Sequence, residues 1–255
     1  PRSTHCISSA ASDVYKRQHL TVEGLTISGV KECSISAQQW EILLEEKDLP
    51  DTVKSSCDVV VMTGKTTAFE QHLVVAKHLL RSDGIVCSLA NGLGHEERLV
   101  QTFGAHRTIA TTTTHGAYRP KPGHVHWAGL GQVTIGPFLH HHTEQSVESL
   151  MQLLSDAGLQ PHWEQDGRVL LWNKMLLNIA INPIAGLLGK ENGALLEPSL
   201  FETAVSVMLE GAMIARAEGV LLEHDDVLIE RLRTVLEATH SNRCSMLQDL
   251  SLIHI

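Results

Sequence analysis

The hydrophobic positions of this chain change their period part-way along it, which predicts two kinds of structure in succession. The stretch Cys57–Met62 reads CDVVVM, a short apolar β-branched run of the kind that forms a strand buried on both faces, and it stops at Thr63-Gly64-Lys65. Phe69, Leu73, Val74, Ala76, Leu79 and Leu80 then recur at helical spacing until Ser82-Asp83-Gly84 breaks the pattern. Residues 85–89 form a second buried strand ending in Ala90-Asn91-Gly92-Leu93-Gly94. A helix around residues 96–103 leads to a third strand at 108–114. Strand, helix, strand, helix, strand at this spacing predicts right-handed crossovers and a doubly wound parallel sheet with helices on its faces.

Upstream, residues 19–34 alternate as HLTVEGLTISGVKECS and predict short strands of a hairpin or sheet edge, whereas residues 37–49 predict a helix and a connector. Past Gly116 two alternating segments, 123–127 and 132–135, flank Ala128-Gly129-Leu130-Gly131 and predict an antiparallel hairpin. That lone G-x-G lacks a third glycine and a following helix, so it is read as the hairpin turn and not as a dinucleotide loop. From Ser146 the period is helical: a helix at 147–157, a strand-like HWEQD at 162–166, then amphipathic stretches at 169–188, 200–218 and 225–241. The expected fold class is α/β, a Rossmann-like doubly wound parallel sheet with an incomplete N-terminal part, followed by an all-helical C-terminal domain. Residues 1–18 are polar, Ser-rich and aperiodic, and 251–255 break off after a helix. Both are expected to be non-native scars, leaving partial domains at 19–160 and 161–250.

Composition narrows the function classes. With 255 residues, 43% hydrophobic and 19% charged, the chain can bury a sizeable core. Its formal charge is -9 with Lys and Arg scattered singly, so no basic stripe is available and nucleic acid is excluded as an expected partner. No apolar run approaches the ~20 residues that span a bilayer, and no signal core precedes a small-residue cleavage site, so no membrane partner and a cytoplasmic location are expected. Five cysteines, odd in number and without a C-x-x-C pair, predict neither a disulfide framework nor a zinc knuckle. The 16 histidines invite a metal reading, but His140-His141-His142 lies in a polar connector and no H-x-x-x-H pair stands beside a helical acid. No metal is expected.

The most informative stretch is LWNKMLLNIAINP, residues 171–183, where Lys174, Asn178 and Asn182 recur every four residues among apolar neighbours. On a helix they form one narrow stripe, each about 6 Å in rise from the next. A solvated Lys174 and two bridging amides are the plain alternative for an amphipathic helix. Here the polar face is too narrow for that, and a buried ammonium or amide without partners costs several kcal/mol, so the stripe is expected to line a cleft holding a polar ligand. Asn91 and Lys65 follow the carboxyl ends of two parallel strands, where open α/β sheets bind ligands. A tight turn and a solvated lysine are their bland readings.

Trp172-Asn173-Lys174 through Asn182-Pro183, the segment Ser241-Asn242-Arg243-Cys244-Ser245-Met246-Leu247-Gln248-Asp249, Asn91-Gly92-Leu93-Gly94 and Val133–Pro137 (VTIGP) together resemble, in order and spacing, the ketopantoate reductase family over residues 19–250. The resemblance implies NADPH-dependent reduction of 2-dehydropantoate to pantoate, on the route to pantothenate and coenzyme A. It further implies Lys174 as proton donor, Asn178, Asn182, Asn242 and Ser245 as substrate-binding residues, and Lys65 and Asn91 at the cofactor. Hydride delivery to a ketone builds negative charge on its oxygen, so a cation that can also donate a proton suits the reaction. The family's opening G-x-G-x-x-G turn and its later substrate-contacting glutamate have no counterpart in the chain, which is expected to be cut short at both ends and is open to being inactive by itself. Two rival functions share the features: another two-domain NAD(P)-dependent dehydrogenase acting on a related keto or hydroxy acid or an imine, and a nucleotide-sensing module without turnover. Expected partners are a small 2-keto acid and, at most, a second copy in a homodimer.

Overall fold

The computed structural model describes residues 6–8, 20–39, 41–43, 49, 51–139 and 144–253. The chain divides into two compact units, Pro1–Leu170 and Leu171–Ile255. The first carries strands β1 (Cys6–Ser8), β2 (Leu25–Gly29), β3 (Cys33–Ile35), β4 (Glu41–Leu43), β5 (Cys57–Met62), β6 (Leu80–Ser88), β7 (Thr108–Thr113), β8 (Gly116–Lys121), β9 (His124–Gly129), β10 (Val133–Pro137) and β11 (Pro161–Trp163). Its helices are α1 (Phe69–Leu79), α2 (His95–Phe103) and α3 (Glu144–Asp156). Helix α4 (Gly167–Leu188) begins at the end of this unit, and α5 (Pro198–Ala217), α6 (Asp225–Ala238) and α7 (Ser245–Ile253) belong to the second.

In the main sheet β5, β6 and β7 run parallel side by side, β10 joins antiparallel to β7, and β11 lies parallel to β10 at the far edge. The apolar runs are explained by what covers each face. Val59, Val61, Ile85, Cys87, Ile109 and Ile135 point to one side and cluster with Val147, Leu150 and Leu154 of α3. Their neighbours Val60, Met62 and Val86 point to the other and cluster with Phe69, Leu73 and Ala76 of α1 and Leu99 of α2. Period-two alternation therefore sends apolar side chains both ways, and an α/β sheet sheathed by helices on both faces results, as the sequence predicts.

Several expectations need correction. The hairpin across Ala128–Gly131 does not form: β9 pairs antiparallel with β8, and β10 pairs antiparallel with β7 in the other sheet. Pro122-Gly123 supplies the tight turn between β8 and β9, with Gly123 at φ +69°. At Gly131 a side chain would lie 2.3 Å from the Thr114 carbonyl carbon, so only glycine lets the chain run against that backbone and bring Val133 into register with Thr113. Residues 37–49 were expected as helix and connector, but Ala37–Gln39 forms a single 3-10 turn and β4 is a strand paired in parallel with β1. The partner is distant in sequence, so local periodicity carries no sign of it. β1 itself falls in the stretch expected to be aperiodic; the rest of residues 1–18, and residues 140–143 with their histidines, lie outside the described residues. The Ser82-Asp83-Gly84 break is a shift of register inside β6 and not its start. Of the strands expected over residues 19–34, β2 and β3 form and pair with each other, whereas residues 20–22 are helical; β2 also pairs in parallel with β9 to make a second, four-stranded sheet.

In the second unit three helices bury residues four apart: Leu176 and Ala180 on α4, Ala204, Met208 and Ala212 on α5, Leu228, Leu232 and Leu236 on α6. The small residues let α4 and α5 approach closely, because a side chain at Gly211 would sit 2.4 Å from Ile179 Cδ1. Cys33, Cys57, Cys87 and Cys244 are free thiols. Among the described residues no helix is long and apolar enough to cross a membrane.

Candidate active site

Lys65 and Asn91 sit where two neighbouring parallel strands end. The Leu89 amide donates to the Met62 carbonyl at 2.8 Å, so the loops leaving β5 and β6 start side by side. Thr66 Oγ1 ties them again, donating to the Asn91 carbonyl at 3.5 Å and lying 3.4 Å from His95 Nε2. The His95 ring is buried and lies on Phe69, with centroids 4.5 Å apart. Gly92 and Gly94 adopt φ of +111° and +94°, and at Gly94 no atom lies within 4 Å of where a side chain would project. Backbone is thereby left bare at the carboxyl edge of the sheet, ahead of the α2 N-terminus, where a polar ligand can approach closely. Lys65 and Asn91 are exposed, and the Asn91 side chain makes no hydrogen bond with any described residue.

A residue that sequence reasoning missed lies directly behind this loop. Glu96, in the first turn of α2, is only 1% exposed, and its Oε2 has no hydrogen-bond partner among the described residues. Burial pushes its carboxyl up to about 7, partly offset by a hydrogen bond to its own backbone, and nearby Glu97 raises it further. His95-Glu96-Glu97 opening a helix reads as a solvated acidic first turn, so the sequence gives no signal that the first glutamate turns inward.

In the second unit the polar stripe of α4 is real. Lys174, Asn178 and Asn182 are half-buried on one helix from which Leu176, Ala180 and Ile181 enter the core. Desolvation holds the Lys174 ammonium below the usual lysine range. Asn178 has no hydrogen-bond partner for its amide among the described residues. Asn182 Nδ2 donates to Ser245 Oγ at 3.4 Å, and its carbonyl is approached by the buried Cys244 thiol at 3.6 Å. Pro183 follows it inside the helix and withdraws one backbone donor there. The predicted pair Asn182 and Ser245 is thus brought together from residues 63 apart in sequence.

The Asn242 side chain is exposed, but its backbone is fixed. Its carbonyl accepts from the Asn192 amide at 2.9 Å, and its own N–H donates to the Thr239 carbonyl at 2.8 Å. Asn192, also absent from the sequence reading, is buried, and its Nδ2 donates to Thr239 Oγ1 at 3.0 Å. It anchors the turn that presents Asn242 and Ser245. Beside Lys174, Asn173 Oδ1 accepts from Arg231 Nη1 at 2.9 Å, which pins the start of the stripe to α6.

Family models decide the kinship: Ketopantoate reductase PanE/ApbA matches residues 12–140, and its C-terminal counterpart matches residues 167–252. The chain belongs to the ketopantoate reductase family. The first match begins inside the segment expected to be foreign, and the second takes in the whole helical stripe and the Asn242–Ser245 turn. Among curated relatives, the 2-dehydropantoate 2-reductase of Pyrococcus horikoshii is 36% identical over 194 residues, 76% of this chain and 62% of that protein. The 2-dehydropantoate 2-reductase of Archaeoglobus fulgidus is 33% identical over 230 residues, covering 89% of this chain and 71% of that one. The solved 2-dehydropantoate 2-reductase of Geobacter metallireducens superposes with a TM-score of 0.79 at 25% identity, over 90% of this chain and 74% of its own. A D-mandelate dehydrogenase solved with NADH and anilino(oxo)acetate shares the fold at a TM-score of 0.85 and 21% identity, over 98% and 78% of the two chains.

Proposed function

We propose that the complete gene product reduces 2-dehydropantoate to pantoate with NADPH in the cytoplasm, serving the route to pantothenate and coenzyme A. The observation that carries this is the half-buried stripe Lys174, Asn178 and Asn182 on α4, with Asn182 bonded to Ser245, in a chain whose curated relatives are named 2-dehydropantoate 2-reductase.

The residues present fit the nicotinamide part of a dinucleotide. Bare backbone at Gly92 and Gly94, with Asn91 and Lys65 at adjacent strand ends, offers a cradle that side chains would otherwise fill. The chain holds no G-x-G-x-x-G run, so it supplies no such cradle for a pyrophosphate. When bound, the reduced nicotinamide supplies a hydride to the ketone carbon. Lys174 meets the charge that builds on the ketone oxygen and gives up its proton to it, and its lowered pKa makes it the better acid near neutral pH. Asn178, Asn182, Asn242 and Ser245 hold the hydroxyl and carboxylate of the keto acid with neutral donors and acceptors, leaving the cationic role to Lys174. Asn91 and Lys65 orient the nicotinamide end.

The test is oxidation of NADPH, and separately of NADH, by the complete gene product with 2-dehydropantoate, alongside the Lys174→Ala variant. Turnover that depends on Lys174 supports the reductase. Turnover only with other 2-keto acids moves the substrate to a sister dehydrogenase. Cofactor binding with no rate on any keto acid would leave the sensing module.

A further inference from the structure

The four-stranded sheet carries a polar cluster that the reductase chemistry leaves unused. On β9, His124 and His126 flank Val125, so both imidazoles leave the same face of the strand. β2 runs parallel beside it, with Thr26 opposite His124 and Ser28 opposite His126. Both rings turn toward one atom: Ser28 Oγ lies 2.8 Å from His124 Nε2 and 3.0 Å from His126 Nδ1. All three residues are half-buried, and Tyr118, opposite His126 on β8, flanks the cluster with its ring 5.1 Å from the His126 ring. The hydroxyl has a single proton, so between neutral imidazoles it donates to one nitrogen and accepts from the other. Two nitrogens and an oxygen therefore converge on one small volume.

We propose that Ser28, His124 and His126 bind a divalent transition-metal cation of borderline softness, such as Ni2+ or Zn2+. Imidazole nitrogens bind such ions at about 2.0–2.1 Å, and at that bond length adjacent ligands of an octahedron stand about 3.0 Å apart and those of a tetrahedron about 3.4 Å apart. The separations of 2.8 and 3.0 Å between Ser28 Oγ and the two nitrogens are close to octahedral edges, and an ion seated among the three atoms replaces the two hydrogen bonds, the ring that donates N–H to Ser28 taking its other tautomer so that both nitrogens present a lone pair. Water fills the remaining positions. Two imidazoles with one neutral hydroxyl suit Ni2+, Cu2+ or Zn2+ and not Ca2+ or Mg2+, which take carboxylate and carbonyl oxygens. Among the described residues no group of three or more His, Cys, Asp or Glu is placed to hold a metal. The third ligand here is a hydroxyl, which makes the site one of modest affinity. The sequence hid it because helical H-x-x-x-H is the spacing that draws attention, whereas a strand brings H-x-H onto one face. The ion would clip β2 to β9 across a separation of 96 to 98 residues, and so would bind the folded sheet and not the unfolded chain.

The test uses the full 255-residue chain with His140, His141 and His142 changed to Asn, since a run of histidines takes up nickel by itself. Ni2+ alone is titrated calorimetrically, and Tm is measured with and without it. His124→Gln and His126→Asn are the informative variants, because each keeps a polar atom near the lost nitrogen and so retains a hydrogen bond to Ser28. One ion per chain is expected, with a Tm that rises on adding Ni2+ and an affinity that falls by about tenfold or more in either variant. A readout free of variants accompanies it: paramagnetic Co2+ must broaden the ring protons of His124 and His126 before those of other histidines. Absence of saturable one-to-one binding, unchanged affinity in either variant, or broadening that begins elsewhere would overturn the site.

Discussion

Replacing Glu96 by Gln should change how the stability of the first unit depends on pH. In the folded state the carboxyl is buried, Oε2 has no hydrogen-bond partner among the described residues, and burial raises its pKa to about 7 from an ordinary 4.5. Below about pH 4.5 the group is protonated whether folded or not, and burial costs it nothing in linkage. Between 4.5 and 7 the unfolded chain ionises while the folded one keeps its proton, so stability falls as pH rises. Above 7 both are ionised, and the full penalty stands, about 3 kcal/mol at 1.36 kcal/mol for each tenfold change in proton affinity. Glutamine never ionises. Its amide brings a new buried donor whose cost, about 1–3 kcal/mol, is the same at every pH. The decisive quantity is therefore the difference between the two proteins as a function of pH. Urea unfolding at pH 5, 6, 7, 8 and 9 should show Glu96→Gln gaining on the parent by about 2.5 kcal/mol across the range, a relative midpoint shift of roughly 1 M. Parallel stability curves would show that Glu96 ionises without penalty and that its surroundings are wetter than the fold implies.

The remaining predictions follow from single contacts. Lys174→Ala in the complete gene product should lower kcat by about 10²–10⁴-fold with 2-dehydropantoate, and the parent's alkaline limb in a rate profile should fall below the 10.5 of an ordinary lysine because desolvation favours the neutral amine. A limb at or above that value would remove Lys174 as the acid. Gly167→Ala should cost about 1–3 kcal/mol, since its side chain would lie 2.5 Å from the Pro137 carbonyl oxygen and 2.6 Å from Ala110 Cβ, and a thermal melt unchanged from the parent would contradict that close approach. Leu232→Ala, at a position with no exposure in the core of the second unit, should cost about 2–5 kcal/mol by chemical denaturation, and a smaller loss would mean that α6 collapses onto the vacated space.

What the sequence made legible was whatever is encoded by local periodicity. CDVVVM announced a strand packed on both faces because four consecutive residues, Val59 to Met62, are apolar, and it is the six-residue β5 that α1 and α3 cover from opposite sides. The stripe Lys174, Asn178, Asn182 was legible for the same reason, as a helical period interrupted by polar residues in an otherwise apolar run. What periodicity cannot encode is the partner. The alternation at 123–127 and 132–135 correctly gives strands, yet nothing local says that the first pairs with Gly116–Lys121 and the second with Thr108–Thr113; the choice rests on Pro122-Gly123 turning the chain and on Gly131 slipping past Thr114. The polar residues missed were of this kind. Glu96 is an acid at a helix start like any other until Leu99, one turn on, is seen to face the sheet and draw that side of α2 inward. Asn192 becomes a support for the Asn242–Ser245 turn only when Thr239 arrives beside it, just past the end of α6. Both owe their roles to segments that meet in three dimensions, so a single sequence shows the residue and withholds its neighbour, and the functional weight of a buried polar group stays unread until the packing around it is known.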